Sequence, residues 1–257
     1  MGPVALHGGG EFLPGDEKFL LALLRAAVRP AEERARSCGR AGPGEPVRIV
    51  MMPTAAAGTN PDASARHGVV TFERLASDVG RLVQVETARV VDRESAEDAV
   101  LAERIAAADL IYLPGGDPAI IPGLLPDSAA WRSILAARAR GAILAGASAG
   151  AMALAPVTWT PGGVIPGLSV VRGLVVFPHA DAAMWERQTG RFPLARRAGM
   201  GILGLGERTG VISSDGDGAT SGTTHWQVVG EGEVRWLPPG ATEPSVLVDG
   251  ESLELPA

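Results

Sequence analysis

The chain is short of cysteine, histidine and positive charge, and it has no long apolar run. Its single cysteine, Cys38, excludes an intrachain disulfide and any metal site built on several thiolates. That thiol sits in the Gly-rich stretch from Ser37 to Gly44 and is read as incidental. Lysine and arginine number 23 against 29 acidic residues, a net charge of −6, so there is no general electrostatic footprint for nucleic acid or an anionic membrane surface. No apolar run approaches a membrane span, and the first residues carry neither the basic nor the apolar part of a secretory signal. A cytoplasmic location is therefore expected. No His/Asp/Glu cluster has metal-ligand spacing, so neither a metal nor an organic cofactor is expected.

What remains is an ordinary globular composition: 257 residues, 46% hydrophobic and 20% charged, enough to bury a sheet covered on both faces. Short apolar runs alternate with helical stretches through the first two-thirds. A strand over Val4–His7 ends in glycines, and Asp16 can cap a helix whose apolar positions Phe19, Leu20, Leu23 and Leu24 share one face before Pro30. Strands over 48–52, 82–91, 110–113 and 142–147 follow, with helices over 61–79, 95–107 and 129–140 between them. Such alternation implies right-handed crossovers and a mainly parallel sheet. After Met152 the pattern changes to short strands with Gly-rich turns, over 157–165, 168–177, 201–205, 211–213, 226–229 and 234–237. No polar linker separates the two parts. The expected fold is α/β: a three-layer sandwich with a mainly parallel sheet, helices on both faces, and added antiparallel strands in the C-terminal third that extend the same sheet. Residues 1–257 are expected to form a single domain.

Ser148 lies in Gly146-Ala-Ser-Ala-Gly150, directly after an apolar strand and before the helix formers Ala149, Ala151, Met152, Ala153 and Leu154. Small residues on both sides suit a sharp strand-to-helix turn that lifts a serine hydroxyl above the strand end. The N–H of Ala149 would then face an oxyanion forming beside Ser148. A second donor is expected from the turn Gly115-Gly116-Asp117, at the carboxyl end of the strand preceding the Ser148 strand, where open parallel sheets bind ligands. A Gly-rich segment, His7-Gly-Gly-Gly10, matches an esterase oxyanion motif but ends the first strand, far too early in the chain for that role. It is read as a glycine turn at the rim of the site.

A serine nucleophile needs a base within reach and a third group to orient that base. The choice lies among His7, His67, His179 and His225. His179 ends an apolar strand, as a catalytic base should; His225 begins a late one.

Four segments in order, Leu113-Pro-Gly-Gly-Asp117, Gly146-Ala-Ser-Ala-Gly-Ala-Met152, Phe177-Pro-His179 and Gly204-Leu-Gly-Glu-Arg-Thr-Gly210, resemble peptidase family S51, which includes dipeptidase E and cyanophycinase. The resemblance runs over nearly the whole chain. It implies a fold like that of class I glutamine amidotransferases, with serine in place of cysteine. It also implies a triad with Ser148 as nucleophile, His179 as base and Glu207 as acid, Asp181 being the competitor for the last role. The oxyanion hole is then Gly116, Asp117 and Ala149.

The function implied is a serine exopeptidase acting on short peptides through an acyl-enzyme, in the manner of a dipeptidase, carboxypeptidase or cyanophycinase. After His179 come Arg187, Arg191, Arg196 and Arg197. Arg187 and Arg191, four apart, would share a helix face and offer two guanidinium groups to a substrate carboxylate. The expected partner is a short peptide substrate; nucleic acid and membrane are not expected, and a homodimer is left open. Two other readings stand beside this one. An α/β-hydrolase esterase would use Ser148, Asp215 or Asp217, and His225. A catalytically silent, amidotransferase-like binding protein would share the fold without the activity. The pair Asp215-Gly-Asp217-Gly lacks the downstream glutamate of a calcium loop and is read as a turn.

Overall fold

The computed structural model describes residues 1–39, 45–188, 199–214 and 222–256. Its centre is a parallel sheet of β1 (Val4–His7), β2 (Val47–Met51), β3 (Val83–Thr87), β4 (Leu110–Leu113) and β5 (Ile143–Ala147), in the order β3-β2-β4-β5-β1. Parallel neighbours require long crossovers, and helices supply them on both faces. The alternation of side chains along β1 shows how the faces divide: Ala5 packs with Phe19, Leu20 and Leu23 of α1 (Glu17–Ser37) and Phe72 of α2 (Pro61–Val79). Val4 and Leu6 face the opposite core, with Ile105 of α4 (Ala99–Ala106), Ile121 of α5 (Ile120–Leu124) and Ile134 of α6 (Ala129–Ala139). The expected three layers are present.

Local signals set several helix ends. Asn60 accepts from the Ala63 N–H with Pro61 at the first helical position, and Gly80 closes α2 in the left-handed conformation. The helix expected over 95–107 is instead two, α3 (Arg93–Ala96) and α4, because Asp92 and Asp98 each cap a new start. Pro30 does not end α1, which continues to Ser37. An interior proline costs about 3 kcal/mol, but the buried face of α1 runs on through Ala27, Pro30, Ala31 and Ala35, and that packing outweighs the lost hydrogen bond. Asp16 precedes α1 but makes no side-chain cap; its carboxylate accepts the Phe12 N–H at 2.8 Å and lies 2.9 Å from His7 Nε2.

The C-terminal third both meets and departs from expectation. Antiparallel strands β10 (Thr209–Ser213), β11 (Thr223–Gly230) and β14 (Ser252–Pro256) extend the main sheet beyond β1. The other strands form sheets of their own. β8 (Leu174–Phe177), β9 (Gly201–Leu205), β12 (Val234–Leu237) and β13 (Ser245–Leu247) make a four-stranded sheet, and β6 (Val157–Thr160) pairs with β7 (Gly163–Pro166). The reason lies in a two-sided apolar pattern: Leu174, Val176, Leu203 and Leu205 join the central core, while Val175 and Ile202 pack with Trp185 and Leu237 in a separate cluster. This second sheet brings the end of β8 over the end of β1. Among the described residues, no helix is long and apolar enough to cross a membrane.

The first crossover is fixed to the sheet by a buried charge pair. Arg34 of α1 donates from Nε and Nη2 to the two oxygens of Asp109, each at 3.0 Å, and Asp109 also accepts the Arg48 N–H at 2.9 Å. Asp109 is fully buried. Removing the guanidinium strands that carboxylate, so Arg34→Ala is expected to lower stability by about 3–5 kcal/mol in urea unfolding.

Candidate active site

The carboxyl ends of β1, β4 and β5 lie side by side: His7 pairs with Ala147, and Leu113 with Gly146. Ser148 follows β5 at φ 49°, ψ −114° and heads α7 (Ala149–Ala153). That backbone region is strained for a residue with a Cβ, by about 1–3 kcal/mol. Neighbouring glycines make the turn tight enough to force it. A Cβ on Gly150 would stand 2.0 Å from the Leu113 carbonyl oxygen, and one on Gly146 2.6 Å from the Gly150 carbonyl carbon. The expected strand-turn-helix setting of Ser148 is therefore present.

Three side chains form one hydrogen-bonded line. Ser148 Oγ is 3.0 Å from His179 Nε2, and His179 Nδ1 is 3.1 Å from Glu207 Oε1. With the ring proton on Nδ1, the imidazole donates to Glu207 and leaves Nε2 to accept the serine hydroxyl. His179 and Glu207 are 44% and 51% exposed, so water and substrate both reach the line.

Its backbone frame is the glycine segment after β1. The carbonyl of His7 accepts the Ser148 N–H at 2.9 Å, that of Gly8 the His179 N–H at 2.8 Å, and that of Gly9 the Arg208 N–H at 2.8 Å. A segment expected at the rim of the site thus lies at its centre. Gly9 also lies flat against the imidazole: a Cβ there would stand 2.2 Å from His179 Cε1.

The turn after β4 is beside Ser148, but its amides differ from expectation. Asp117 gives its N–H to the Ala55 carbonyl at 2.8 Å, and its carboxylate accepts from the Ala119 N–H at 2.8 Å. Its amide is thereby removed from the expected oxyanion hole, because this turn docks on the segment that follows β2. Gly115 gives its N–H to Glu11 Oε1 at 2.8 Å. Among the described residues, no acceptor within the protein engages the amides of Gly116 and Ala149. Glu11 is not among the residues expected at the site; its one signal in the sequence is a carboxylate in the glycine loop that ends the first parallel strand.

The remaining candidates are dispersed. Asp181, the competitor of Glu207, accepts the Met184 N–H at 2.7 Å and so caps α8 (Ala182–Gln188). His225 pairs with Glu254 at 3.1 Å. The register from His7 through Gly210 and Ser213 to Trp226 puts it at the opposite end of the sheet from Ser148. That removes the esterase arrangement, whose Asp215 and Asp217 lie outside the described residues. Arg187 is exposed on α8; Arg191, Arg196 and Arg197 lie outside the described residues. Cys38 is exposed and free. Among the described residues, no group of three or more His, Cys, Asp or Glu side chains is arranged to hold a metal ion.

A Gly9→Ala change tests the frame. The new methyl must push the imidazole aside, and a displacement of about 1 Å costs on the order of 10²-fold in rate. Hydrolysis is expected to fall at least that far while far-ultraviolet circular dichroism is unchanged.

Residues 44–180 match the model of peptidase family S51. In fold, the chain is similar to a peptidase from an acI-B1 Actinobacterium, with a TM-score of 0.73 and 23% identity over 99% of this chain and 97% of that one. It is also similar to a Peptidase E homologue from Listeria monocytogenes EGD-e, with a TM-score of 0.53 and 14% identity over 90% of this chain and 98% of that one. Among curated proteins no sequence matches.

Proposed function

The chain belongs to peptidase family S51, and on that premise we propose that it is a serine exopeptidase of short peptides, working through Ser148, His179 and Glu207. The observation that carries this reading is the line Ser148 Oγ···His179 Nε2 at 3.0 Å and His179 Nδ1···Glu207 Oε1 at 3.1 Å. Each member has the neighbour its role requires.

In the proposed reaction, His179 Nε2 takes the hydroxyl proton as Ser148 Oγ attacks the scissile carbonyl. Glu207 stabilises the imidazolium that forms and holds the ring in the productive tautomer. The amides of Gly116 and Ala149 are assigned to the oxyanion, Asp117 being committed elsewhere. His179 then gives the proton to the leaving amine, and the acyl group stays on Ser148. Water enters through the open face and attacks the acyl carbon as it loses a proton to His179; the bond to Ser148 Oγ then breaks, His179 returns that proton to Oγ, and the acid is released. Base, nucleophile and charge stabilisation all come from the chain's own groups.

A carboxylate on the substrate is assigned to Arg187 or Arg191. The segment after His179 leads straight from the base into α8, and a guanidinium binds a carboxylate through two parallel hydrogen bonds. In a chain of net charge −6, a local cation is what recognition of an acidic peptide requires.

Two variants test this reading. Ser148→Ala is expected to lower peptide hydrolysis by about 10⁶-fold, the scale set by loss of a serine nucleophile, with the fold retained; residual turnover near the wild-type rate would end it. Arg187→Ala and Arg191→Ala are each compared with wild type on a short peptide and on an uncharged activated ester. A drop confined to the peptide identifies the carboxylate-binding arginine, whereas equal drops on both substrates mark a structural one.

A further inference from the structure

Glu11 lies beside the serine, and nothing in the proposed mechanism uses it. Its Oε1 accepts the Gly115 N–H at 2.8 Å. A methyl on Gly115 would stand 2.9 Å from that oxygen, 3.1 Å from Ser148 Cβ and 3.6 Å from Ser148 Oγ. The carboxylate and the serine hydroxyl therefore flank the same glycine. Among the described residues, Glu11 has no cationic partner, and its second oxygen accepts no hydrogen bond. Glu11 is half-buried. Burial, and then the charges of Asp16 and Glu11, hold the Tyr112 hydroxyl well above its ordinary range.

A carboxylate in this position cannot help the oxyanion, because two negative charges this close repel. Nor does the backbone need an ionised side chain here, since a single N–H is satisfied by any neutral acceptor. What the position does suit is a cation attached close to the scissile carbonyl. In a peptide, the α-nitrogen of the residue that supplies the carbonyl is one bond from its Cα, and that Cα is bonded to the carbonyl carbon itself. When that residue is the first of the peptide, its nitrogen is an ammonium. When it is internal, the nitrogen belongs to an amide, which carries no charge and offers the carboxylate no ion pair.

We propose that Glu11 is a specificity-determining residue that binds the free α-ammonium of the substrate, so that the enzyme removes the N-terminal residue of short peptides. This rests on the serine-peptidase reading and selects among the exopeptidase modes that reading leaves open. The Gly115 N–H fixes one carboxylate oxygen, and the other is left to receive the ammonium. A peptide blocked at its N-terminus loses the cation and meets the carboxylate unpaired.

The test is hydrolysis of a dipeptide library and of its N-acetylated counterpart by wild type, Glu11→Gln and Glu11→Asp, with 4-nitrophenyl acetate as a substrate that lacks an ammonium. Wild type is expected to cleave the free library at least about 10²-fold faster than the acetylated one, the scale of a lost charge-assisted contact. Glu11→Gln should lower kcat/KM on the free library by a similar factor and leave 4-nitrophenyl acetate turnover within about twofold. Glu11→Asp should recover part of the loss. Equal cleavage of free and acetylated peptides overturns the proposal, and so does an equal fall of peptide and ester turnover in Glu11→Gln, which would mark Glu11 as a support for Gly115. Ester turnover that depends on Ser148, without cleavage of any free peptide, overturns the ammonium site alone. Absence of both turnovers removes the peptidase reading beneath it.

Discussion

Three consecutive carbonyls, those of His7, Gly8 and Gly9, hold the candidate site together. They accept the N–H groups of Ser148, His179 and Arg208, which arrive from the ends of β5, β8 and β9. The same three donors have positive φ, at 49°, 53° and 53°. Each is thus strained at the point where it joins the rail, and its hydrogen bond offsets part of that strain. Strain of this kind persists only where the surroundings over-determine it. Here two sheets and a glycine loop meet at one line, and Gly8 itself admits no side chain, since a Cβ would stand 2.0 Å from the Gly206 carbonyl oxygen.

Beneath the rail, the loop is anchored by groups that have nothing to do with substrate. His7 and Asp16 are buried, with His7 Nε2 2.9 Å from Asp16 Oδ1, and the His7 ring lies 4.5 Å from that of Phe19. Asp16 also holds the Phe12 N–H, which fixes the end of the loop that carries Glu11. One buried pair therefore ties the start of α1 to the end of β1 and sets the height of the glycines between them. The exposed line of Ser148, His179 and Glu207 rests on a buried polar base. That division suits a site that must admit water and peptide without losing its geometry.

Much of this was legible in the sequence, and the gaps have physical causes. Period and composition fixed the parallel core, because strands buried on both faces and amphipathic helices leave strong local patterns. Ser148 was legible because its turn needs small residues in an unbroken local run. Glu207 followed only from family resemblance: no local pattern links a residue after β9 to a histidine after β8. The second sheet was missed because short apolar strands look alike whichever sheet they join, and pairing is a long-range choice. Pro30 misled for the opposite reason, since a local rule gave way to the packing of a long apolar face. Asp117 and Glu11 exchanged importance through hydrogen bonds across the strand ends, with Ala55 and with Gly115, which no spacing in the chain encodes.

The account stands on Ser148 being a nucleophile activated by His179, and covalent trapping measures that most directly. The chain is treated with a fluorophosphonate, its intact mass is recorded and the modified peptide is sequenced, for wild type and for His179→Ala. The account predicts one adduct per chain on Ser148 in wild type and labelling slowed by several orders of magnitude in the variant. An unlabelled Ser148 in folded wild type, or equal labelling without His179, would contradict it.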